Sequence, residues 1–261
     1  MSLTDGRSCT RTGLRLIRVD DAEGFHLAKR TYAQPSAPWR SADVHRQEWG
    51  RFDTLGRTYY LAGTAECAYA EVLAPLRRGN GTDDPLAPVA AALGLSLEET
   101  VEAIADEWDE SDFRGVGALP PTWFHLRRMY RTRIVDGGWL VDVEHPDTIA
   151  ALQGPADGQV ARFLANQGIP MLTTAVLRSE NRLVTTMLAE LMRDAELDDG
   201  TNPRGVHFGS KHGGAWCRAV WLPYHEASPP GVEIAAADDI DSNDPAMRAV
   251  ARRLGLVLGR S

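Results

Sequence analysis

The stretch TYYLAGTAECAYAEVLAPLRR (58–78) changes physical character in its middle. Its opening residues, TYYLAG, are β-branched and aromatic, a composition that suits a pleated, half-buried strand. From Thr64 onward Ala65, Ala68, Val72 and Leu76 recur at helical spacing, and the Thr64 hydroxyl is placed to accept from the orphan amides of a first turn. Pro75 lacks an amide hydrogen, so the helix is expected to end or kink there. A strand therefore runs straight into a helix that presents a carboxylate, Glu71. Strands and helices recur in this mixed way along the chain, and the expected class is α+β.

Outward from that point the pattern continues on both sides. GLRLIRVDDAEGFHLAKRTY (13–32) holds two apolar-alternating stretches separated by DDAEG, read as two strands around a turn. Residues 1–13 read as a flexible tail and 33–49 as a surface loop. TRIV and WLVDV flank a DGG turn as two further strands. HPDTIAALQ and VARFLANQ each start a helix. SENRLVTTMLAELMRD (179–194) is the best-patterned helix, with Leu183, Met187 and Leu191 on one stripe. VHFGS and AWCRAVWLPY suit paired strands, and PPGVEIAAADDIDSNDP is acidic and turn-rich. A C-terminal helix is expected over about 244–258, with Asp244 as N-cap, Pro245 in the first turn, and Met247, Val250 and Leu254 inward.

The segment from about 79 to 125 reads as a helical insertion in one domain spanning 1–261. Within it Ser96 and Glu99 form a capping box, giving a helix–turn–helix outline after PVAAALGL. Its second helix carries Glu98, Glu99, Glu102, Asp106 and Glu107. A helix that enters a nucleic-acid groove is basic, so a lid or a partner-docking hairpin is the better reading.

Composition narrows the function classes. The 261 residues carry a net charge of −8, with 43% hydrophobic and 25% charged residues. That balance is ordinary for a globular protein and disfavours a general nucleic-acid or anionic-membrane binder. RRMYRTR (127–133) still offers a local basic patch. No apolar run approaches 18 residues, and MSLTDGRSCTRTG lacks the apolar middle of a signal peptide. Cys9, Cys67 and Cys217 are scattered without a CxxC pair, which argues for a reducing, cytoplasmic setting.

Several residues could carry chemistry. Arg51 stands in WGRFDT (49–54), where Gly50 permits a turn and Phe52 offers an aromatic anchor. Glu71 is either a working carboxylate or a solvated partner of Arg77 or Arg78, and Glu66 competes with it. Tyr59 and Tyr60 point to opposite faces of their strand, so only one can line a pocket. Ser210 closes RGVHFGS (204–210), with Gly209 allowing close backbone approach. No GxSxG elbow surrounds it, so a nucleophilic triad with His207 or His212 is disfavoured. His207, His212, Cys217 and His225 fit no standard zinc spacing, and no metal is expected.

Arg51, Glu71 and Ser210, in this order and in these contexts, resemble the RES domain, a family of bacterial NAD-degrading toxins named for arginine, glutamate and serine. The resemblance covers about residues 25–222. It implies an ADP-ribosyltransferase-like split β-sheet with surrounding helices around an NAD cleft. It implies Glu71 and Arg51 as the catalytic pair, with NAD bound by Arg51, Tyr60, Ser210 and His26. NAD is then the substrate, with no further cofactor. Tyr60 is preferred to Tyr59 on family register. His26 stands where the family presents an arginine, and Arg30 is its rival. Asn181 replaces the family's acid beside Arg182, which is left as a structural residue. The implied activity is NAD glycohydrolysis or phosphorolysis by a toxin held in check by a helix–turn–helix antitoxin. The alternatives are ADP-ribose transfer to a protein and a catalytically silent binding module acting through the insertion.

Overall fold

A computed structural model of the chain describes residues 6–19, 22–30, 37–77, 87–97, 99–100, 118–119, 121–135, 137–155, 158–222 and 231–258. Their class is α+β. The strands are β1 (Gly6–Ser8), β2 (Arg15–Arg18), β3 (Ala22–Lys29), β4 (Trp39–Arg40), β5 (Gly56–Ala62), β6 (Ala118–Leu119), β7 (Arg127–Ile134), β8 (Trp139–Asp142), β9 (Gly205–Gly209), β10 (Trp216–Trp221), β11 (Val232–Asp239) and β12 (Val257–Leu258). The helices are α1 (Ala65–Leu73), α2 (Ala87–Leu93), α3 (Pro121–His125), α4 (Pro146–Gln153), α5 (Gln159–Asn166), α6 (Thr174–Leu177), α7 (Arg182–Arg193) and α8 (Pro245–Leu254). The main sheet runs β1-β2-β8-β9-β10-β5-β3-β7-β11, with β4 also against β5. Pairing within it is antiparallel except between β8 and β9.

Its two faces bury different sets of side chains, as strand alternation requires. Phe208, Ala62, Cys217 and Ala219 pack with α1, α7 and α8 into the larger core. Tyr59, Leu61, Leu140 and Val220 build a second, smaller core. β3 and β5 share a single register pair, Phe25 with Ala62, so the sheet opens between them.

The two segments expected as strand–turn–strand units fold as strands that do not pair with each other. β2 pairs with β1 and β8, and β3 with β5 and β7; likewise β7 joins β3 and β11. β3 and β7 are in register from Ala22–Ile134 to Lys29–Arg127, and that long ladder outweighs a local hairpin. The acidic stretch read as turn-rich contains β11, which lies on β7. The pairing is supported by Arg133–Glu233 at 2.7 Å and Arg128–Asp239 at 2.8 Å, cross-strand pairs of opposite charge. Those same contacts occupy arginines of the expected basic patch.

Other expectations need correction. The flexible tail does not extend to residue 13: β1 pairs with β2, Cys9 is buried, and Asp198 accepts from the amides of Thr10 and Arg11. The insertion does not extend to 125. β6 pairs with β12 near the C-terminus, and Trp123 and Phe124 on α3 enter the larger core. The capping box is formed, with Ser96 N donating to Glu99 at 2.7 Å and Glu99 N to Ser96 Oγ at 3.1 Å. The rest of the acidic helix lies outside the described residues. The C-terminal helix stops at Leu254, because Gly255 takes a left-handed conformation with φ of 69°. The buried face of α7 is Val184, Leu188 and Met192, one position on from the expected stripe.

Candidate functional site

α1 begins as its sequence requires: Thr64 Oγ1 accepts from the Cys67 amide at 3.1 Å, and the α-helix ends at Leu73 before Pro75. Its buried face is Cys67, Ala70 and Leu73 together with Tyr69. Val72 and Leu76, two of the residues that recur at helical spacing, are exposed. Ala68, Glu71 and Val72 instead face a cavity of about 270 Å³ at the opening between β3 and β5. This size lies near the lower edge of small-molecule sites, enough for part of a larger ligand. Its apolar wall includes Phe25, Leu27, Ala62 and Phe208; its polar groups are His26, Arg51, Tyr60, Glu71, Arg182 and Cys217.

Glu71 is held by Ser210, whose Oγ donates to Oε1 at 2.5 Å. That hydroxyl also accepts from the amides of His212 at 3.0 Å and Gly213 at 2.6 Å. Ser210 is thus saturated and stands behind Glu71, outside the cavity wall, where direct contact with substrate was expected. Among the described residues no imidazole is hydrogen-bonded to it, so none of them serves as a base to make it a nucleophile. Glu66, the competing carboxylate, turns to Arg253 at 3.4 Å and does not line the cavity.

Arg51 is only 7% exposed, and its Nε and Nη1 have no hydrogen-bond partner. Its guanidinium lies 5.0 Å from the centre of the Phe208 ring. Burial depresses its pKa; Glu71 opposes that shift and Arg182 adds to it. The turn carrying Arg51 is pinned by Asp53, which accepts from Gly50 N at 2.7 Å, Arg40 Nε at 2.7 Å and the Tyr60 hydroxyl at 2.8 Å. Tyr60 in turn accepts from the Phe52 amide at 3.1 Å. Gly50 is required here, since a Cβ would fall on the Tyr60 hydroxyl. Burial first and Asp53 second push the Tyr60 pKa well up, so it stays a neutral donor.

Tyr60 lines the cavity, whereas Tyr59 is in the smaller core, where its ring stacks on His26 at 4.3 Å. His26 Nδ1 meets the Tyr60 carbonyl at 2.8 Å. A carbonyl only accepts, so Nδ1 carries the hydrogen, and burial lowers the His26 pKa and keeps the ring neutral. Nε2 is left as an acceptor. Arg30 is away from the cavity, paired with Asp239 at 2.6 Å.

Arg182, read as structural, belongs to the cavity. It stands at the start of α7, where Asn181 caps the helix by accepting from Val184 N at 3.3 Å. Its Nη2 donates to Glu180 at 2.5 Å, while Nη1 is buried without a partner. Glu180 also pairs with Lys211. The signal in the sequence was the cap itself, because a residue directly after a helix cap sits on a fixed first turn. Two guanidiniums with unfilled donors therefore flank one carboxylate. Among the described residues no cluster of three metal-ligating side chains occurs. His207 and Cys217 occupy different faces of the sheet, since Cys217 is opposite Phe208 and His207 opposite Arg218.

No family model matches the chain, and no curated protein matches it. Among solved structures it is similar to a chain of the M. tuberculosis MbcT-MbcA toxin-antitoxin complex, with 11% identity, 91% of each chain covered and a TM-score of 0.42. No helix among the described residues is long and apolar enough to cross a membrane.

Proposed function

We propose that the cavity binds NAD and breaks the bond between nicotinamide and ribose, and that the protein is an NAD-consuming toxin of RES type acting in the cytoplasm. The observation that carries this reading is a clamped carboxylate beside two guanidiniums, buried Arg51 and half-buried Arg182, that each keep a donor without a partner around one cavity. Cleavage passes through an oxocarbenium-like state, in which positive charge grows on the sugar. Glu71 stabilises that charge, and Ser210 fixes one of its oxygens so that the other is presented to the ribose. Arg51 and Arg182 neutralise the diphosphate, and Phe208 supplies an aromatic face. His26 Nε2 accepts from a ribose hydroxyl, and Arg51, held by the Asp53 turn, stays in place without reorganising. The acceptor is water or phosphate. In the same reading a helix–turn–helix antitoxin covers the cavity mouth.

Incubation of the pure protein with NAD, with and without phosphate, tests this. Free nicotinamide with ADP-ribose or its 1-phosphate is the expected product. Label fixed on protein would indicate ADP-ribose transfer, and unchanged NAD would remove the enzymatic reading.

A further inference from the structure

The cysteines scattered through the sequence are not scattered in space. Cys67 Sγ and Cys217 Sγ lie 3.7 Å apart as free thiols. Cys67 is on α1, one turn before Glu71, and is fully buried; Cys217 is on the central strand β10 and lines the cavity. We propose that Cys67 and Cys217 form a peroxide-sensitive dithiol, a modification site whose closure to a disulfide switches off the Glu71 site. The second half of this proposal rests on the NAD-cleaving reading above; the first does not.

The chemistry needs a thiolate, access and a resolving thiol. Cys217 donates its hydrogen toward Cys67, which draws the Cys67 thiol down to about 7, so the pair sheds one proton near neutrality. The cavity gives a small oxidant such as hydrogen peroxide a route to Cys217, whose proton passes to the adjacent Cys67 sulfur, so that the cavity-lining sulfur becomes the attacking thiolate and Cys67 the second thiol. The thiolate sulfur attacks one peroxide oxygen, the O–O bond breaks, and the departing hydroxide takes a proton and leaves as water. The second thiol attacks the resulting sulfenic sulfur, forms the S–S bond, and gives its proton to the hydroxide that leaves as a second water. The two sulfurs together lose two electrons, and the peroxide gains them.

Closure has a mechanical consequence. A disulfide needs about 2.05 Å between the sulfurs, so they must approach by about 1.7 Å. β10 is held on both sides by β9 and β5, leaving Cys67 as the partner that gives. The backbone at Gly213 rests directly on Cys67, since a Cβ there would lie 2.6 Å from the Cys67 Cα. Gly213 N is bonded to the Ser210 hydroxyl that clamps Glu71. Movement of Cys67 is thereby passed to the clamp from two directions, through α1 and through the Ser210–Gly213 loop.

The test treats the full chain with hydrogen peroxide, blocks free thiols and maps disulfides by peptide mass spectrometry. A Cys67–Cys217 crosslink that dithiothreitol reverses is expected, with Cys9 still a thiol. Free thiols or sulfinic acids at both positions, with no crosslink, would overturn the dithiol. NAD turnover, read on the same samples, should fall on the order of 10- to 100-fold and return on reduction. Full turnover by the crosslinked protein would overturn the coupling to Glu71. Cys217→Ser should show the same turnover before and after peroxide, and sensitivity retained there would sink the switch. The reversal by dithiothreitol keeps the test valid in the unmutated chain if that variant misfolds. Should the untreated protein leave NAD intact, the proposed function fails while the crosslink map still decides the dithiol.

Discussion

Ser210 and Glu71 are joined by a 2.5 Å hydrogen bond between the end of β9 and the second turn of α1, 139 residues apart in the chain. The serine is spent on holding the carboxylate, which separates their roles. Glu71→Gln should keep NAD binding and lose turnover on the order of 10²–10³-fold. Ser210→Ala removes only the clamp, and a milder loss of about 1–2 kcal/mol, roughly 5- to 30-fold, is expected. Glu66→Gln should match the unmutated protein. Steady-state nicotinamide release checks all three, and a dead Glu66→Gln beside an active Glu71→Gln would reverse the assignment.

Asp53 is 2% exposed and gathers Arg40, the Gly50 amide and the Tyr60 hydroxyl. Its removal strands a cation and two donors together. Asp53→Ala should cost about 3–5 kcal/mol in urea unfolding, the usual penalty for breaking a buried pair from one side. Asp53→Asn, which keeps an acceptor, should cost less. A loss below about 1 kcal/mol in Asp53→Ala would mean that the Arg51 turn has other support.

His26 touches the cavity and Arg30 does not, which sets up a contrast. His26→Ala should raise KM more than it lowers kcat, because a contact equal in ground and transition states affects binding alone. The expected change in kcat/KM is roughly 5- to 30-fold, one hydrogen bond's worth. Arg30→Ala should lose only its surface pair with Asp239 and leave kinetics unchanged. The reverse pattern would put the register of β3 on the wrong face.

His207 gives a pH signature to stability. Burial, reinforced by Arg218 and partly opposed by Glu144, lowers its pKa to about 4. The unfolded chain binds this proton near pH 6.5, so between about 6.5 and 4 it holds more protons than the folded one. Stability then rises with pH across that window and is lost as pH falls through it, by up to a few kcal/mol below about 4. His26, lowered by burial, adds in the same direction. Unfolding midpoints measured from pH 7 to 4 should drop less in His207→Gln; an equal drop would place the proton elsewhere.

How much of this was legible in the sequence differs by element. The strand-to-helix passage at 58–73 was readable because its composition, cap and proline all agree. The convergence of Arg51, Tyr60 and Glu71 on one cavity was expected from the RES resemblance, and no local pattern showed it. β11 was hidden because Glu233, Ala236 and Asp239 have weak strand preference, and only the arginines of β7 across from them explain it. The pairing of Cys67 with Cys217, 150 residues apart, has no local trace at all. The position of Ser210 behind Glu71 was equally out of reach, since side-chain saturation depends on the 211–213 loop. α7 shows the finer limit: an amphipathic helix is visible, but its inward face is set by neighbours and moved by one residue.

The cavity wall draws on Phe25, Arg51, Glu71, Arg182, Phe208 and Cys217. The last strand to contribute, β10, lies between β9 and β5. A ribosome-bound chain that has not yet released residues 205–221 lacks both the clamp on Glu71 and the floor beneath it. A chain truncated before residue 205 therefore lacks the clamped carboxylate that the proposed NAD cleavage requires.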